Sequence, residues 1–147
     1  MHQDQVRPNR PRILLIEDDE ATRVGYAELL QVRGFEVEAV GTALEALAAA
    51  KRETPDVIVT DVLLPDGDGL ALASQFREQP RTAHVPIIGV TANWTADARA
   101  RARQAGVSAF LLKPSAPSHV LAEIYRVLAH EEDGDDASYP DNSVQTA

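Results

Sequence analysis

Residues 56–70 read DVIVTDVLLPDGDGL. Val57–Thr60 runs apolar or β-branched without alternation, which suits a strand buried on both faces, and the proline, glycine and aspartate cluster from Pro65 to Gly69 reads as a turn. Between the two stands Asp61, a carboxylate at the end of a buried strand. The rest of the chain repeats this arrangement. Ile13–Ile16 (ILLI) runs into Glu17-Asp18-Asp19, Pro86–Val90 (PIIGV) into Thr91, and Ser108–Leu112 (SAFLL) into Lys113. Phe35–Val40 (FEVEAV) alternates instead, as an edge strand does.

Between these runs, helical patterns occupy residues 20–33, 43–52, 68–79, 95–105 and 117–130. Thr42, Asp66 and Thr95 stand where N-caps are wanted, Asp66 and Asp68 both being read as caps of the third helix rather than metal ligands, and Gly34 and Gly106 stand where a left-handed C-terminal cap is wanted. Five β-α units with fully apolar central strands predict an α/β fold of the flavodoxin-like kind, a doubly wound five-stranded parallel sheet. Right-handed crossovers favour the strand order 2-1-3-4-5. In that order the first and third strands are neighbours where the winding reverses, and the ligand crevice of such sheets lies there. Glu17-Asp18-Asp19 and Asp61 would meet at that point. Carboxylates gathered at low dielectric repel one another, and an oxygen-only cluster is stabilised by a hard divalent cation, magnesium above all, with manganese as a substitute.

Composition narrows the function classes. The 147 residues carry 14 basic and 23 acidic side chains, a net charge of −9. Six of the acids fall in residues 131–147, leaving 17 acids against 14 bases before them. No continuous basic face is offered to nucleic acid, and Arg99, Arg101 and Arg103 read as a solvated helix face. The absence of cysteine excludes disulfides, thiolate metal sites and a cysteine nucleophile, and the four histidines have no metal-ligand spacing. No apolar run reaches membrane-spanning length, so a cytoplasmic protein is expected. One domain over residues 12–130 is expected between two disordered arms, residues 1–11 and the acidic tail 131–147.

The motifs ILLIEDDE, VTDVLLPDGDGL, GVTA and FLLKP, in this order and on these elements, resemble the receiver domain of two-component response regulators over residues 12–130. The resemblance implies a signalling phosphoacceptor rather than an enzyme, of the stand-alone type. Asp61 would take a phosphoryl group from a sensor histidine kinase or a histidine phosphotransfer protein. Asp18 and Asp61 would hold magnesium directly, Glu17 through water, and Leu63 through its backbone carbonyl. Lys113 and Thr91 would contact the phosphoryl oxygens, and Lys113-Pro114 would be a cis peptide. Thr91 and Phe110 would form the switch, and Leu63 and Asn93 would tune the phosphoryl lifetime. The implied output surface is the fourth helix, fifth strand and fifth helix, about residues 94–130, engaging a downstream protein as a monomer or weak dimer. Asp19 and Glu20 are read as the start of the first helix, favoured there by its dipole. Trp94 is expected as an exposed partner contact or lid.

The chain departs from the commonest family pattern in three places. Ser115 occupies the place of the usual aromatic after Lys-Pro, Asn93 stands two residues after Thr91, and Leu63, two after Asp61 and apolar, cannot orient an attacking water. Leu63 also argues against a magnesium-dependent aspartyl phosphatase of the haloacid dehalogenase type, which needs a second aspartate two residues after its nucleophile. A flavodoxin-like cofactor site would want a phosphate-cradling loop where Glu17-Asp18-Asp19-Glu20 stands. A phosphorylation-independent binding module would be expected to have lost one of the key residues, and none is lost.

Overall fold

A computed structural model describes residues 10–133 of the chain. Its elements are β1 (Arg12–Ile16), α1 (Glu20–Val32), β2 (Glu36–Val40), α2 (Ala43–Arg52), β3 (Val57–Asp61), β4 (Leu63–Leu64), β5 (Gly67–Asp68), α3 (Gly69–Glu78), β6 (Ile87–Thr91), α4 (Ala96–Ala105), β7 (Ala109–Leu112) and α5 (Pro117–Asp133). The long strands form one parallel sheet in the order β2-β1-β3-β6-β7. Leaving aside the two short strands, this is the expected 2-1-3-4-5 arrangement, and the alternating FEVEAV run is an edge strand. The expected arms, residues 1–11 and 131–147, lie almost wholly outside the described residues, although α5 runs three residues past the boundary expected at 130.

Strand pleating distributes the apolar side chains between two layers. Leu14, Ile16, Ile58 and Ile87 face α2, α3 and α4, packing on Ala49, Leu72, Phe76 and Ala102. Ile13, Leu15, Val57, Val59, Ile88 and Val90 face α1 and α5, packing on Tyr26, Leu30, Val120 and Ile124. Successive strand residues therefore serve opposite cores, so the central strands must be apolar throughout. Each such side chain contributes about 1.5–3 kcal/mol by leaving water. No helix among the described residues is long and apolar enough to cross a membrane.

Local signals in the sequence set most helix ends. Asp19 caps α1, its Oδ2 accepting from the Thr22 backbone N–H (2.9 Å) and hydroxyl (2.7 Å). Thr42 and Thr95 cap α2 and α4 through the N–H groups of Glu45 and Ala98, both at 3.1 Å. Gly106 ends α4 with φ of 86°, and Gly34 follows α1 with φ of 96°. Of the two aspartates expected to cap α3, only one does. Asp68 caps it by accepting from Leu70 N–H at 2.7 Å, and Asp66 does not. Asp66 sits at the tip of the antiparallel β4–β5 hairpin, and from there its carboxylate accepts from Ala43 and Leu44 N–H (2.8 and 3.0 Å), capping α2. Those two bonds hold its carboxyl below the usual range.

At the opposite pole from the carboxylates, Arg77 of α3 is anchored with no carboxylate partner among the described residues. Its guanidinium donates to the carbonyls of Gly106 (2.7 and 3.0 Å) and Val85 (2.6 Å), with longer bonds to Thr82 and Ala83. Burial lowers its pKa. The side chain joins the end of α3 to the end of α4 and the loop before β6.

Candidate functional site

Parallel pairing brings four strand ends to one edge of the sheet. Ile16 is in register with Thr60, Asp61 with Val90, and Thr91 with Leu112. The ladder continues one residue beyond the strands: Glu17 N–H donates to Val40 O at 3.0 Å, and Lys113 N–H to Thr91 O at 2.8 Å. Residues far apart in sequence are thus held at the same height by backbone hydrogen bonds.

Glu17 is 2% exposed and Asp61 5%, whereas Asp18 is exposed. One carboxylate oxygen from each lies within 4.8 Å of the others. Lys113 sits directly on Asp61, its Nζ 2.8 Å from Oδ1 and 3.0 Å from Oδ2, and 3.7 Å from Glu17 Oε1. Burial pushes the Glu17 carboxyl up to about 7, against the pull of the Asp19 N–H (3.0 Å) and with the repulsion of Asp61 adding to the rise. Burial acts to lower the Lys113 pKa, but its bond to Asp61 and the charges of Asp61 and Glu17 outweigh that, and the net shift is upward. Two buried carboxylates and one exposed one, mutually repelling oxygen donors, fit a hard divalent cation that keeps several waters.

Thr91 is 7% exposed, and its hydroxyl is engaged with Asn93, accepting from N–H at 3.1 Å and donating to the carbonyl at 3.3 Å. Leu63 is 80% exposed at the rim. Phe110 is buried, lying over Gly89 so closely that a Cβ there would stand 1.8 Å from its ring. Trp94 is not the exposed lid that was expected. It is buried, edge-on to Phe110 with ring centroids 4.6 Å apart. A large aromatic ring three residues beyond a buried strand gains more from the space beside Phe110 than from water.

The expected site residues therefore group in one place. Asp18, Asp61, Leu63, Thr91, Asn93, Phe110 and Lys113 line one cleft of about 450 Å³, with Glu17 beside Lys113 behind it. Arg101 and Asp97 of α4 line the same cleft and were not expected there. Arg101 forms an ion pair with Asp68 at 2.7 Å. The available signal was the spacing of Asp97 and Arg101, one helical turn apart on a single face. Pro114 follows Lys113 through a cis peptide bond. Ser115 donates its hydroxyl to Leu112 O (2.6 Å), and its carbonyl accepts from the Tyr26 hydroxyl (2.9 Å), which ties this loop to α1 although position 115 itself carries no aromatic.

A family profile described as the response regulator receiver domain matches residues 13–125. Response regulator MprA of Mycobacterium leprae is 35% identical over 127 residues, covering 86% of this chain and 54% of that protein. The phosphate regulon regulatory protein PhoB of Rhizobium meliloti is 30% identical, with 80% and 52% covered, so this chain spans about half the length of these two relatives. The polar-differentiation response regulator DivK of Brucella ovis is 31% identical over 69% of this chain and 83% of its own. Among solved structures, chemotaxis response regulator CheY4 of Vibrio cholerae superposes with a TM-score of 0.77 at 28% identity, covering 81% of this chain and 99% of that one. The receiver domain of a sensor histidine kinase from Pseudomonas aeruginosa, described with a magnesium ion in its active site cleft, superposes with a TM-score of 0.74 at 30% identity, covering 82% and 98%.

Proposed function

The chain belongs to the response regulator receiver domain family, and from that premise we propose that it accepts a phosphoryl group on Asp61 from the phosphohistidine of a sensor histidine kinase or histidine phosphotransfer protein. An Asp61 carboxylate oxygen attacks phosphorus, the N–P bond to imidazole breaks, and the electron pair leaves with the ring nitrogen. The observation that carries this reading is Lys113 Nζ seated on both oxygens of Asp61 inside a three-carboxylate cluster. An ammonium on a flexible stem is suited to hold the nucleophile in place and then follow the charge onto the phosphoryl oxygens.

Asp18 and Asp61 would hold magnesium directly, with Glu17 reaching it through water and Leu63 offering its carbonyl. Bound there, the ion supplies the positive charge that offsets the carboxylates and the negative charge developing on the phosphoryl oxygens. The chain's own groups do the rest. Thr91 is free to exchange its bonds with Asn93 for one to a phosphoryl oxygen, because an Oγ–backbone bond within one loop is weakly held. Ala92, small and exposed, leaves the approach to the cleft open. Movement of Thr91 is transmitted to Phe110 and Trp94, and so to α4, β7 and α5, the surface offered to a downstream protein. Exposed Leu63 and Asn93 govern access of water to the acyl phosphate. The phosphatase alternative is disfavoured by the apolar side chain at position 63.

The test uses Trp94, buried against Phe110 at the cleft, as the reporter. Magnesium and then acetyl phosphate are added to the protein and to Asp61→Asn, with intact mass recorded in parallel. We expect quenching by magnesium, then a donor-dependent change with one added phosphoryl group, both donor effects being lost in the variant. An unchanged mass in the unaltered protein would overturn the proposal in favour of a phosphorylation-independent binding module.

A further inference from the structure

We propose that Arg101 is a specificity-determining residue of the cleft, recruiting small dianionic phosphodonors, and that Asp68 restrains it. This rests on the phosphoacceptor reading of Asp61. Two cations line the cleft, and Lys113 is committed to the Asp61 carboxylate. A dianionic donor approaching from solvent therefore meets Asp18, Asp61 and Asp97 with Arg101 as the counterweight. The Arg101 guanidinium is half exposed and, among the described residues, engaged through Nη2 alone, by Asp68 Oδ2 at 2.7 Å. An exposed ion pair of this kind is weak and exchanges readily. The remaining N–H donors of the planar fork match the oxygens of a phosphoryl group.

Asp68 is well placed to act as the restraint because its other oxygen is fixed. Oδ1 caps α3 through Leu70 N–H, and the next residue, Gly69, donates to Val62 O at 2.6 Å. Gly69 is pressed so closely against the acceptor strand that a Cβ would lie 2.1 Å from Asp61 O. The anchor for Arg101 is thus rigidly tied to the backbone of the phosphoacceptor, and Arg101 in turn joins α4 to it.

In the self-catalysed reaction with acetyl phosphate, an Asp61 oxygen–phosphorus bond forms while the bond from phosphorus to the acetate oxygen breaks, and acetate leaves with the electron pair. Phosphoramidate reacts in the same way with loss of ammonia, but carries one negative charge fewer at neutral pH. The experiment measures initial phosphorylation rates with each donor, at low and high salt, for the unaltered protein, Arg101→Gln, Asp68→Asn and the double variant. Asparagine at position 68 keeps a capping oxygen for α3, so the fold is retained while the charge is lost.

Arg101→Gln is expected to slow acetyl phosphate about tenfold at low salt and phosphoramidate only about threefold, as half the charge requires, the gap closing as salt screens the charge. Asp68→Asn is expected to speed acetyl phosphate by about threefold, and the double variant to match Arg101→Gln. Equal effects of Arg101→Gln on both donors, or none on either, would overturn the assignment while leaving Asp61 as acceptor. If the unaltered protein gains no phosphoryl group from either donor, the phosphoacceptor reading fails and the role of Arg101 falls with it.

Discussion

Replacing Glu17 by glutamine should stabilise the metal-free protein at neutral and alkaline pH. Glu17 is 2% exposed, and burial, with the repulsion of Asp61 adding to it, raises its carboxyl from 4.5 to about 7. Between those values the folded chain holds a proton that the unfolded chain has released. Stability therefore falls as pH rises from about 4.5 to 7, by at most roughly 3 kcal/mol at 1.36 kcal/mol per pH unit, and stays at the lower level above that window. Glutamine has nothing to ionise. Its carbonyl can keep the bond from Asp19 N–H, and its amide can donate towards Asp61. The assay is urea unfolding in chelator at a series of pH values. Relative to the unaltered protein, Glu17→Gln should gain little near pH 4.5 and up to roughly 3 kcal/mol at pH 8. Magnesium at pH 8 should narrow the gap, because a cation offsets the charge that glutamine removes. A difference that is flat with pH, or a variant less stable at pH 8, would refute the account of Glu17 as a strained buried acid.

Three further outcomes follow from particular contacts. Gly89→Ala places a Cβ 1.8 Å from the Phe110 ring and must push that ring off its seat beside Trp94, so we expect a loss of about 1–3 kcal/mol and altered Trp94 emission. An unchanged emission spectrum would mean that the ring is not held there. Leu63→Asn, at a side chain 80% exposed, should leave the urea midpoint unchanged while speeding loss of the phosphoryl group, since an amide can orient water where leucine cannot. An unchanged decay rate would count against this. Arg77→Met strips the carbonyls of Gly106 and Val85 of their donor and should destabilise by roughly 2–4 kcal/mol, read from thermal or urea melts, with the phosphorylation rate preserved because the contact is at the far pole.

Much of the molecule is written locally. The run Val57–Thr60 is apolar throughout because both of its faces are covered, and the alternation of Phe35–Val40 reflects a strand with one neighbour. Asp19, Thr42, Thr95, Gly34 and Gly106 act on backbone groups within a few residues of themselves, so their positions could be read directly. Asp18, Asp61, Thr91 and Lys113 each stand at the end of such a run, and the parallel topology is enough to bring strand ends to one edge.

What stayed hidden depends on how separate units pack. Asp66 and Asp68 are two residues apart with the same chemistry, yet one caps α2 and the other α3, because a hairpin turns the first towards a helix 23 residues away in sequence. Trp94 is polar-flanked in sequence and buried in space, because Gly89 admits Phe110 and Phe110 offers an aromatic edge. Arg101 reads as a solvated residue until α4 is laid beside α3, 33 residues earlier. The sequence by itself determined the order of elements and the chemical groups at the strand ends, since both rest on periodicity and on hydrogen bonds between near neighbours. The tertiary structure alone decided which charges face one another, which aromatic fills which space, and how far Glu17 resists ionisation, since those depend on distances between side chains that no local pattern records.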